Sequence, residues 1–320
     1  MKFKLKKIKS DASFREFYRL YKGKRSSIIV TASKEKQKNI VLYSAINKFY
    51  RKKGIYAPKL IRKHSHDSIL EIEDLGKETL LNHVKNSKNK LLLYKNCVDL
   101  ILKIQKIKPP KKIKISVNKY KKFDTYNLKN LNKESDLFFD WYLFGILGKK
   151  KSYKFKKIIK KELNIIYKKI HFKNNFLVHR DFHVSNIIPM KNKLGIIDTQ
   201  DTIIGNPMYD LASLVDDVRI KVPIKIKDKI FKYYIKKCQF KKKDISFLQN
   251  DFDILSVQRN LKILGIFYRL FKRDNKPQYL KYLPYTWNLI HLRIKNKIFN
   301  KLRIILKEDL NKILKKNIKF

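Results

Sequence analysis

One segment, from Leu177 to Asp217, constrains the fold most, because its polar side chains can act together only if the chain brings them to one place. It reads LVHRDFHVSNIIPMKNKLGIIDTQDTIIGNPMYDLASLVDD. Asp181 and Asn186 lie five residues apart on a predicted loop. Asp198 follows twelve residues after Asn186, beyond a strand-like run from Leu194 to Ile197. This order predicts a loop, a hairpin and the start of a helix.

The residue types in this segment suit the transfer of a phosphoryl group. Such a transfer needs a carboxylate that receives the proton of the acceptor hydroxyl, and oxygen ligands that hold Mg²⁺ on the phosphates. Asp181 is therefore the candidate catalytic base, and Asn186 and Asp198 are the candidate Mg²⁺ ligands. A single loop aspartate is more often a turn former or a helix cap. The polar neighbours of Asp181 disfavour that alternative.

Composition limits the class of protein. The chain has 320 residues, enough for a large core and for two lobes, and 43% of them are hydrophobic, as in a folded globular protein. The formal net charge of +51 first suggests nucleic acid as a partner. Lysine is scattered through nearly every segment, however, rather than concentrated on one element with interleaved aromatic residues. We therefore expect a solvated basic surface and no specific nucleic-acid partner.

The cysteines and the chain start bear on the compartment. Cys97 and Cys238 match no metal or redox spacing, so both are expected to be reduced. The first residues, MKFKLKKIKSDASF, lack the apolar core of a signal peptide. No run of 18 apolar residues occurs, so no membrane span is expected. The sequence predicts a cytoplasmic protein, and a monomer is favoured.

Two regions of different character divide the chain. Residues 1–75 are predicted to form strands with one helix: Phe14–Leu20 and Ser26–Thr31 indicate a hairpin, Gln37–Lys53 has helical spacing, and 60–61 and 68–72 indicate two more strands. Residues 76–320 are dominated by helical patterns. We therefore expect an α+β fold with a small N-terminal antiparallel sheet lobe and a larger, mainly helical C-terminal lobe. The predicted helices are about 77–107, 128–147, 153–170, 208–219, 226–237, 243–273 and 286–316.

The loop His179-Arg180-Asp181-Phe182-His183-Val184-Ser185-Asn186 resembles the catalytic loop of the aminoglycoside phosphotransferase and choline kinase superfamily, relatives of protein kinases. Ile196-Ile197-Asp198 and Tyr209-Asp210-Leu211 follow at matching distances. The resemblance implies a bilobal protein-kinase-like fold that uses ATP and Mg²⁺. It implies that Asp210 anchors the catalytic loop, although a helix-dipole role is equally open. His179 is expected to be structural, and His183 either contacts substrate or packs.

Four other stretches narrow the resemblance to one subgroup. Its members are the anomeric kinases of N-acetylmuramate and N-acetylglucosamine in cell-wall sugar recycling. The four stretches are SDASFR from residue 10, LFFDWYL from 137, DTQD from 198 and QRNLK from 258. Together the resemblance extends over about residues 10–285.

This subgroup resemblance implies several binding residues. Ser13, Phe14 and Arg15 would lie in the loop that covers the phosphates, and Glu73 and Leu75 would border the adenine at the hinge. Candidate sugar contacts are Glu134, Asp140 and Arg259. Arg259 lies on a long predicted helix, where arginine is usually solvated, but a sugar with an anionic lactyl group would need a cation such as Arg259.

One feature departs from the kinase pattern. The third strand, Ser27–Ala32, has no lysine to pair with the phosphates, and the helix after it has no acidic residue to hold one. Arg15 and Lys34 are the candidate replacements, and the sequence does not decide between them.

The expected activity is ATP-dependent phosphorylation of the anomeric hydroxyl of an amino sugar, N-acetylmuramate or N-acetylglucosamine, as part of peptidoglycan recycling. Two alternatives remain open at this point. The same fold can act on another small hydroxyl acceptor, an aminoglycoside or a choline-like molecule, although a strongly basic chain suits cationic acceptors poorly. The protein can also be a non-catalytic nucleic-acid binder, which the complete set of Asp181, Asn186 and Asp198 disfavours.

Overall fold

The computed structural model describes residues 3–8, 15–32, 37–64, 69–191, 193–238 and 240–310. Its architecture is α+β, with an antiparallel sheet near the N-terminus and a mainly helical remainder, as the sequence predicts. Contacts between Cα atoms divide the chain into two compact units. The first unit contains residues 1–124 and 176–204, and the second contains 125–175 and 205–320. The lobe boundary expected at residue 75 stays a prediction.

An antiparallel five-stranded sheet forms the N-terminal part of the first unit. Its strands are β1 Phe3–Ile8, β2 Glu16–Lys22, β3 Arg25–Thr31, β4 Leu60–His64 and β5 Ile69–Glu73. They are ordered β1-β2-β3-β5-β4. The predicted hairpin of β2 and β3 is confirmed, and it closes tightly because Lys22 pairs with Arg25 and Gly23 adopts a φ of 61°.

The core of this sheet follows from the alternation of side chains along its strands. Ile28 and Val30 in β3 and Leu70 and Ile72 in β5 are buried two residues apart on one face. Helix α1, Gln37–Lys52, packs its Ile40 and Tyr43 into the same cluster. The helix and the sheet therefore form one hydrophobic core.

The rest of the first unit adds two helices and three small pairs of strands. These are α2 Leu80–Asn86, α3 Lys90–Gln105, β6 Ile113–Ser116 with β7 Lys119–Lys121, β8 Phe176–Val178 with β11 Ile203–Gly205, and β9 Ile187–Met190 with β10 Lys193–Ile196. Strands β9 and β10 form an antiparallel hairpin in which Ile187 lies opposite Ile196.

The second unit is a helical assembly around one long buried helix. Its helices are α4 Leu128–Leu137, α5 Phe144–Tyr167, α6 Met208–Val215, α7 Ile224–Cys238, α8 Ile245–Lys272, α9 Leu283–Arg293 and α10 Asn300–Ile304. Most side chains of α8 between residues 251 and 264 are buried. At Gly265 a Cβ atom would lie 2.2 Å from the backbone oxygen of Leu137, so a close backbone contact requires glycine there.

A cluster of charged side chains is buried in the second unit. The Asp216 carboxylate, fully buried, accepts hydrogen bonds from Lys227 Nζ (2.6 Å), Arg293 Nε (2.7 Å) and Ser256 Oγ (2.6 Å). Burial alone would raise the pKa of Asp216, but the charges and hydrogen bonds of Lys227 and Arg293 hold it far below its usual range. Burial lowers the pKa of Lys227, and the Asp216 carboxylate opposes that shift.

Several predicted helix bounds are wrong. The single helix predicted at 77–107 is two helices, because Ser87 is extended and the side chain of Asn89 caps α3. The helix predicted at 286–316 ends at Arg293, and Asn296 caps a new short turn. The residues beyond 310 lie outside the described part of the chain.

The break predicted between the helices at 128–147 and 153–170 is confirmed at Gly148, whose φ of 72° and ψ of 173° interrupt the helical geometry of α5. Before this break, a π-helix at Phe138–Leu143 joins α4 to α5. Among the described helices, none combines the length and apolarity that crossing a membrane requires.

Candidate functional site

The loop after β8 carries Asp181, and a short turn shapes it. The backbone nitrogen of His183 donates to the carbonyl of Asp181 (3.0 Å), and that of Asn186 donates to the carbonyl of His183 (2.8 Å). Arg180, just before Asp181, adopts a left-handed conformation with a φ of 73°. Such a conformation is costly for a residue with a side chain, and residues of this kind cluster at functional sites. The Asp181 side chain is half-buried.

The β9–β10 hairpin brings Asn186 and Asp198 to the same end of two paired strands. Asn186 precedes β9 and Ile197 follows β10, and the nitrogen of Ile197 donates to the carbonyl of Asn186 (3.0 Å). Asp198 is the next residue and is left-handed, with φ 65° and ψ 40°. The predicted metal ligands therefore come together although twelve residues separate them in the sequence.

The donor atoms of this pair fit a magnesium ion. Asn186 Nδ2 donates to the carbonyl of Asp181 (3.0 Å), which leaves the amide oxygen of Asn186 as the group that can bind a cation. Asp198 adds a carboxylate whose side chain is 30% exposed. Mg²⁺ binds through one or two such protein oxygens plus phosphate and water oxygens. No cluster of three or more His, Cys, Asp or Glu suited to a metal occurs in the described ranges.

Arg15 lies directly on the Asp198 carboxylate. Its side chain is 3% exposed, and Nη2 donates to Asp198 Oδ1 while Nη1 donates to the Gln200 side-chain oxygen (2.9 Å). The guanidinium carbon lies 5.2 Å from the ring centroid of Tyr43 and 5.5 Å from that of Phe17. The two rings stabilise the guanidinium of Arg15 through cation–π interactions, which are stronger for a buried, desolvated cation.

Helix α1 holds the loop that carries Asp198 through side-chain hydrogen bonds that the sequence did not predict. Thr199 donates to the side chain of Asn47 (2.6 Å), and the hydroxyls of Tyr50 and Thr202 are 3.1 Å apart. Burial raises the pKa of Tyr43, which lies one helical turn before Asn47. The sequence does contain one indication of this role for α1. Asn47, four residues after Tyr43, is a polar residue on the otherwise apolar face of the helix.

The two histidines of the 179–186 loop are both buried. His179 Nε2 donates to the carbonyl of Ile197 (3.0 Å), so it links the loop to the strand end that precedes Asp198. This bond supports the structural role expected of His179. His183 Nε2 lies 3.4 Å from Asn186 Nδ2, beside the predicted metal ligand. Its contact with a substrate stays a prediction.

The predicted nucleotide residues are in the first unit, as far as they are described. Glu73, at the end of β5, accepts hydrogen bonds from Arg51 Nη1 (2.6 Å) and from the nitrogen of Lys59 (3.2 Å). Leu75 lies against Gly195 of β10, where a Cβ atom would come within 2.8 Å of its side chain. Ser13, Phe14 and Lys34 lie outside the described residues.

Of the residues predicted to contact the sugar, His183 belongs to the first unit, and Glu134, Asp140 and Arg259 belong to the second, in different environments. Glu134 is buried and accepts hydrogen bonds from Tyr126 (2.5 Å), Gln258 (3.2 Å) and Lys262 (3.0 Å). Asp140 is exposed and pairs with Lys156 at 2.6 Å.

Arg259 and Asp210 complete the predicted set in the second unit. Arg259 is 4% exposed, and within the described ranges no group accepts a hydrogen bond from its buried Nη1. Glu134 therefore accepts hydrogen bonds from side chains of α8, the helix that contains Arg259, whereas Asp140 pairs with Lys156. Asp210 is buried in the first turn of α6, and its anchoring role stays a prediction.

Comparison with known proteins places the chain among phosphotransferases. The sequence profile of the Phosphotransferase enzyme family matches residues 4–240. The chain is 27% identical over 279 residues to the N-acetylmuramate/N-acetylglucosamine kinase of Pseudomonas aeruginosa, covering 86% of this chain and 79% of that protein. It is 24% identical over 290 residues to the kinase of the same name from Neisseria meningitidis, covering 88% and 83%.

Solved structures share the fold. A Plasmodium vivax ethanolamine kinase matches with a TM-score of 0.64 and 13% identity, over 92% of this chain and 84% of that chain. An ADP-bound aminoglycoside phosphotransferase matches with a TM-score of 0.61 and 14% identity, over 92% and 94%. These similarities confirm the predicted kinase-like bilobal α+β fold.

Proposed function

This chain belongs to the phosphotransferase enzyme family, and from that premise we propose that it transfers the γ-phosphoryl group of ATP to the anomeric hydroxyl of an amino sugar. The proposed acceptors are N-acetylmuramate and N-acetylglucosamine, and the proposed role is the recycling of cell-wall sugars in the cytoplasm. The observation that carries the proposal is the placement of Asn186 and Asp198 at one end of the β9–β10 hairpin, with Asn186 bonded to the backbone of the Asp181 loop.

The names of the relatives support the choice of acceptor. Two proteins that each align with more than four fifths of this chain carry the name N-acetylmuramate/N-acetylglucosamine kinase. The stretches that resemble this subgroup lie in both compact units, so the similarity extends well beyond the catalytic loop.

In the proposed mechanism the chain's own residues position the reactants and move one proton. Asp181 receives the proton of the acceptor hydroxyl as that oxygen bonds to the γ-phosphorus of ATP, while the bond from this phosphorus to the bridging oxygen breaks and ADP leaves. Asn186 and Asp198 would hold Mg²⁺, which supplies positive charge to the phosphates. The backbone near Glu73 and Leu75 would bond the adenine. His179 keeps Asp198 at the hairpin end through the carbonyl of Ile197.

Arg259 favours an acceptor that carries a carboxylate. A buried guanidinium nitrogen without an acceptor is costly, so the position of Nη1 of Arg259 needs an explanation. The described residues provide no partner for its Nη1. N-acetylmuramate carries a lactyl carboxylate, which a guanidinium can bind through two parallel hydrogen bonds, whereas N-acetylglucosamine has none. We therefore propose that Arg259 contributes to the preference between these two sugars.

A product analysis tests the function. Purified protein is given ATP with N-acetylmuramate, N-acetylglucosamine, an aminoglycoside or choline, and the position of the new phosphate is determined by NMR. We expect phosphate on C1 of an amino sugar. Asp181→Asn should lower kcat by about 10² to 10⁴-fold with an unchanged unfolding midpoint.

The same acceptor panel tests the role of Arg259. Arg259→Met should raise KM for N-acetylmuramate more than KM for N-acetylglucosamine. Phosphorylation of an amine-bearing acceptor alone would contradict the proposed acceptor, and near-normal turnover by the Asp181 variant would contradict the proposed base.

A further inference from the structure

The phosphates of a nucleotide carry more negative charge than one magnesium ion offsets, so a phosphotransferase needs a further cation. Strand β3, Arg25–Thr31, contains no lysine, and its only cationic side chain is the exposed Arg25 at its first position. The described side chains of α1, from residue 40 to 52, include no carboxylate that could hold a cation in place. The usual strand lysine and its acidic partner are therefore both missing from these elements.

Arg15 has the properties that such a cation needs. It stands immediately before β2, is buried, and is held between the rings of Phe17 and Tyr43. Its two terminal nitrogens point at the Asp198 carboxylate and the Gln200 amide oxygen. A guanidinium presents paired donors that match phosphate oxygens as well as carboxylate oxygens.

The contact between Arg15 and Asp198 has a consequence for metal binding. Asp198 is the proposed Mg²⁺ ligand, and its Oδ1 oxygen accepts a hydrogen bond from Arg15. A metal ion bound to the Asp198 carboxylate would be repelled by the positive charge of Arg15. It would also compete with Arg15 for the lone pairs of the same carboxylate oxygens. Gln200, whose side-chain oxygen receives the other nitrogen of Arg15, keeps the guanidinium beside this carboxylate.

We propose that Arg15 is the phosphate-binding cation of this enzyme, and that it exchanges the Asp198 carboxylate for nucleotide phosphate when a divalent metal binds Asp198. Without nucleotide, Arg15 neutralises Asp198 and weakens metal binding there. With nucleotide, the phosphates accept the hydrogen bonds of Arg15 and leave Asp198 to the metal. Metal and nucleotide binding are therefore coupled through one side chain. This inference rests on the proposed use of a magnesium nucleotide, but not on the identity of the acceptor.

The exchange predicts opposite effects of one substitution on two ligands. Arg15→Met removes the competitor, so Mn²⁺, used as a probe for Mg²⁺, should bind about 5 to 10-fold more tightly without nucleotide, as measured by electron paramagnetic resonance. The same variant loses a charge-assisted contact with phosphate, so the Kd of Mn²⁺·ADP measured by calorimetry should rise about 10 to 100-fold. Neither measurement needs an acceptor or turnover.

Two further variants make the test decisive. Arg273→Met makes the same change of charge at the exposed pair of Arg273 and Asp274 and should leave both affinities unchanged. Arg15→Gln keeps a donor near Asp198, should reproduce both shifts, and serves if Arg15→Met does not fold. Weaker binding of both ligands in a folded Arg15 variant would show a merely structural role and overturn the proposal, as would an unchanged Kd for Mn²⁺·ADP. If Mn²⁺·ADP fails to bind the unsubstituted protein, the proposed use of a nucleotide is wrong.

Discussion

The buried pair of Lys227 and Asp216 gives a sharp prediction about stability. Their charged atoms are 2.6 Å apart, with side chains 3% and 0% exposed. At an effective dielectric constant of about 20, an attraction over 2.6 Å is worth about 6 kcal/mol. Lys227→Met removes this attraction and the bond to the carbonyl of Val215, but it also removes the cost of burying an ammonium group. Arg293 and Ser256 still contact Asp216, so we expect a net loss of about 3 kcal/mol.

A matched control in the same unit separates burial from distance. Lys156 and Asp140 are also 2.6 Å apart, but their side chains are 35% and 53% exposed. Lys156→Met should therefore cost between about 0 and 1 kcal/mol. Both variants are compared with the unsubstituted chain by urea unfolding followed by circular dichroism, with the free energy of unfolding extrapolated to water. Equal losses in the two variants would refute the reasoning, because burial would then not decide the contribution of the pair.

Two further predictions concern pH and metal affinity. Burial raises the pKa of Asp253 to about 6, although Arg293 and Asn296 oppose the shift. Since the folded state binds this proton more tightly than the unfolded state, the stability that it contributes is present below about pH 4 and is lost as pH rises through about 6. Asp253→Asn should flatten the dependence of the unfolding midpoint on pH between 4 and 7, and an unchanged slope would contradict the assignment. Asn47→Ala removes the acceptor of the Thr199 hydrogen bond and should weaken Mn²⁺ binding in the presence of ADP about 10-fold, as titrated by electron paramagnetic resonance. Wild-type affinity in that variant would show that α1 does not position Asp198.

The local features of the site could be predicted from the sequence because neighbouring residues determine them. The β2–β3 hairpin follows from two strand-like runs around a glycine-containing turn. The convergence of Asn186 and Asp198 follows from a hairpin whose strands are both apolar and short. In each case the contacts join residues close in sequence, so pattern and spacing contain the needed information.

The partners of these residues could not be predicted, because folding brings them together from distant parts of the chain. Arg15 and Asp198 are 183 positions apart, and Asn47 and Thr199 are 152 apart. Nothing in the spacing of either pair indicates the contact. The burial of Arg259 could not be predicted either, since a basic residue on a helix is usually solvated. The buried residues around most of the circumference of α8 show that this helix is enclosed by its neighbours.

The pairing of β9 with β10 determines which insertions and deletions the chain tolerates between Asn186 and Asp198, the two proposed Mg²⁺ ligands. Asn186 and Asp198 are held together by register, with Ile187 opposite Ile196, and not by a fixed count of residues. A residue added to one strand alone would shift the partners and turn the following side chains to the opposite face. Residues added in matched numbers to both strands, or to the connection between them, would leave the ligands side by side. Insertions and deletions compatible with catalysis should therefore occur as balanced pairs or at the tip of the hairpin.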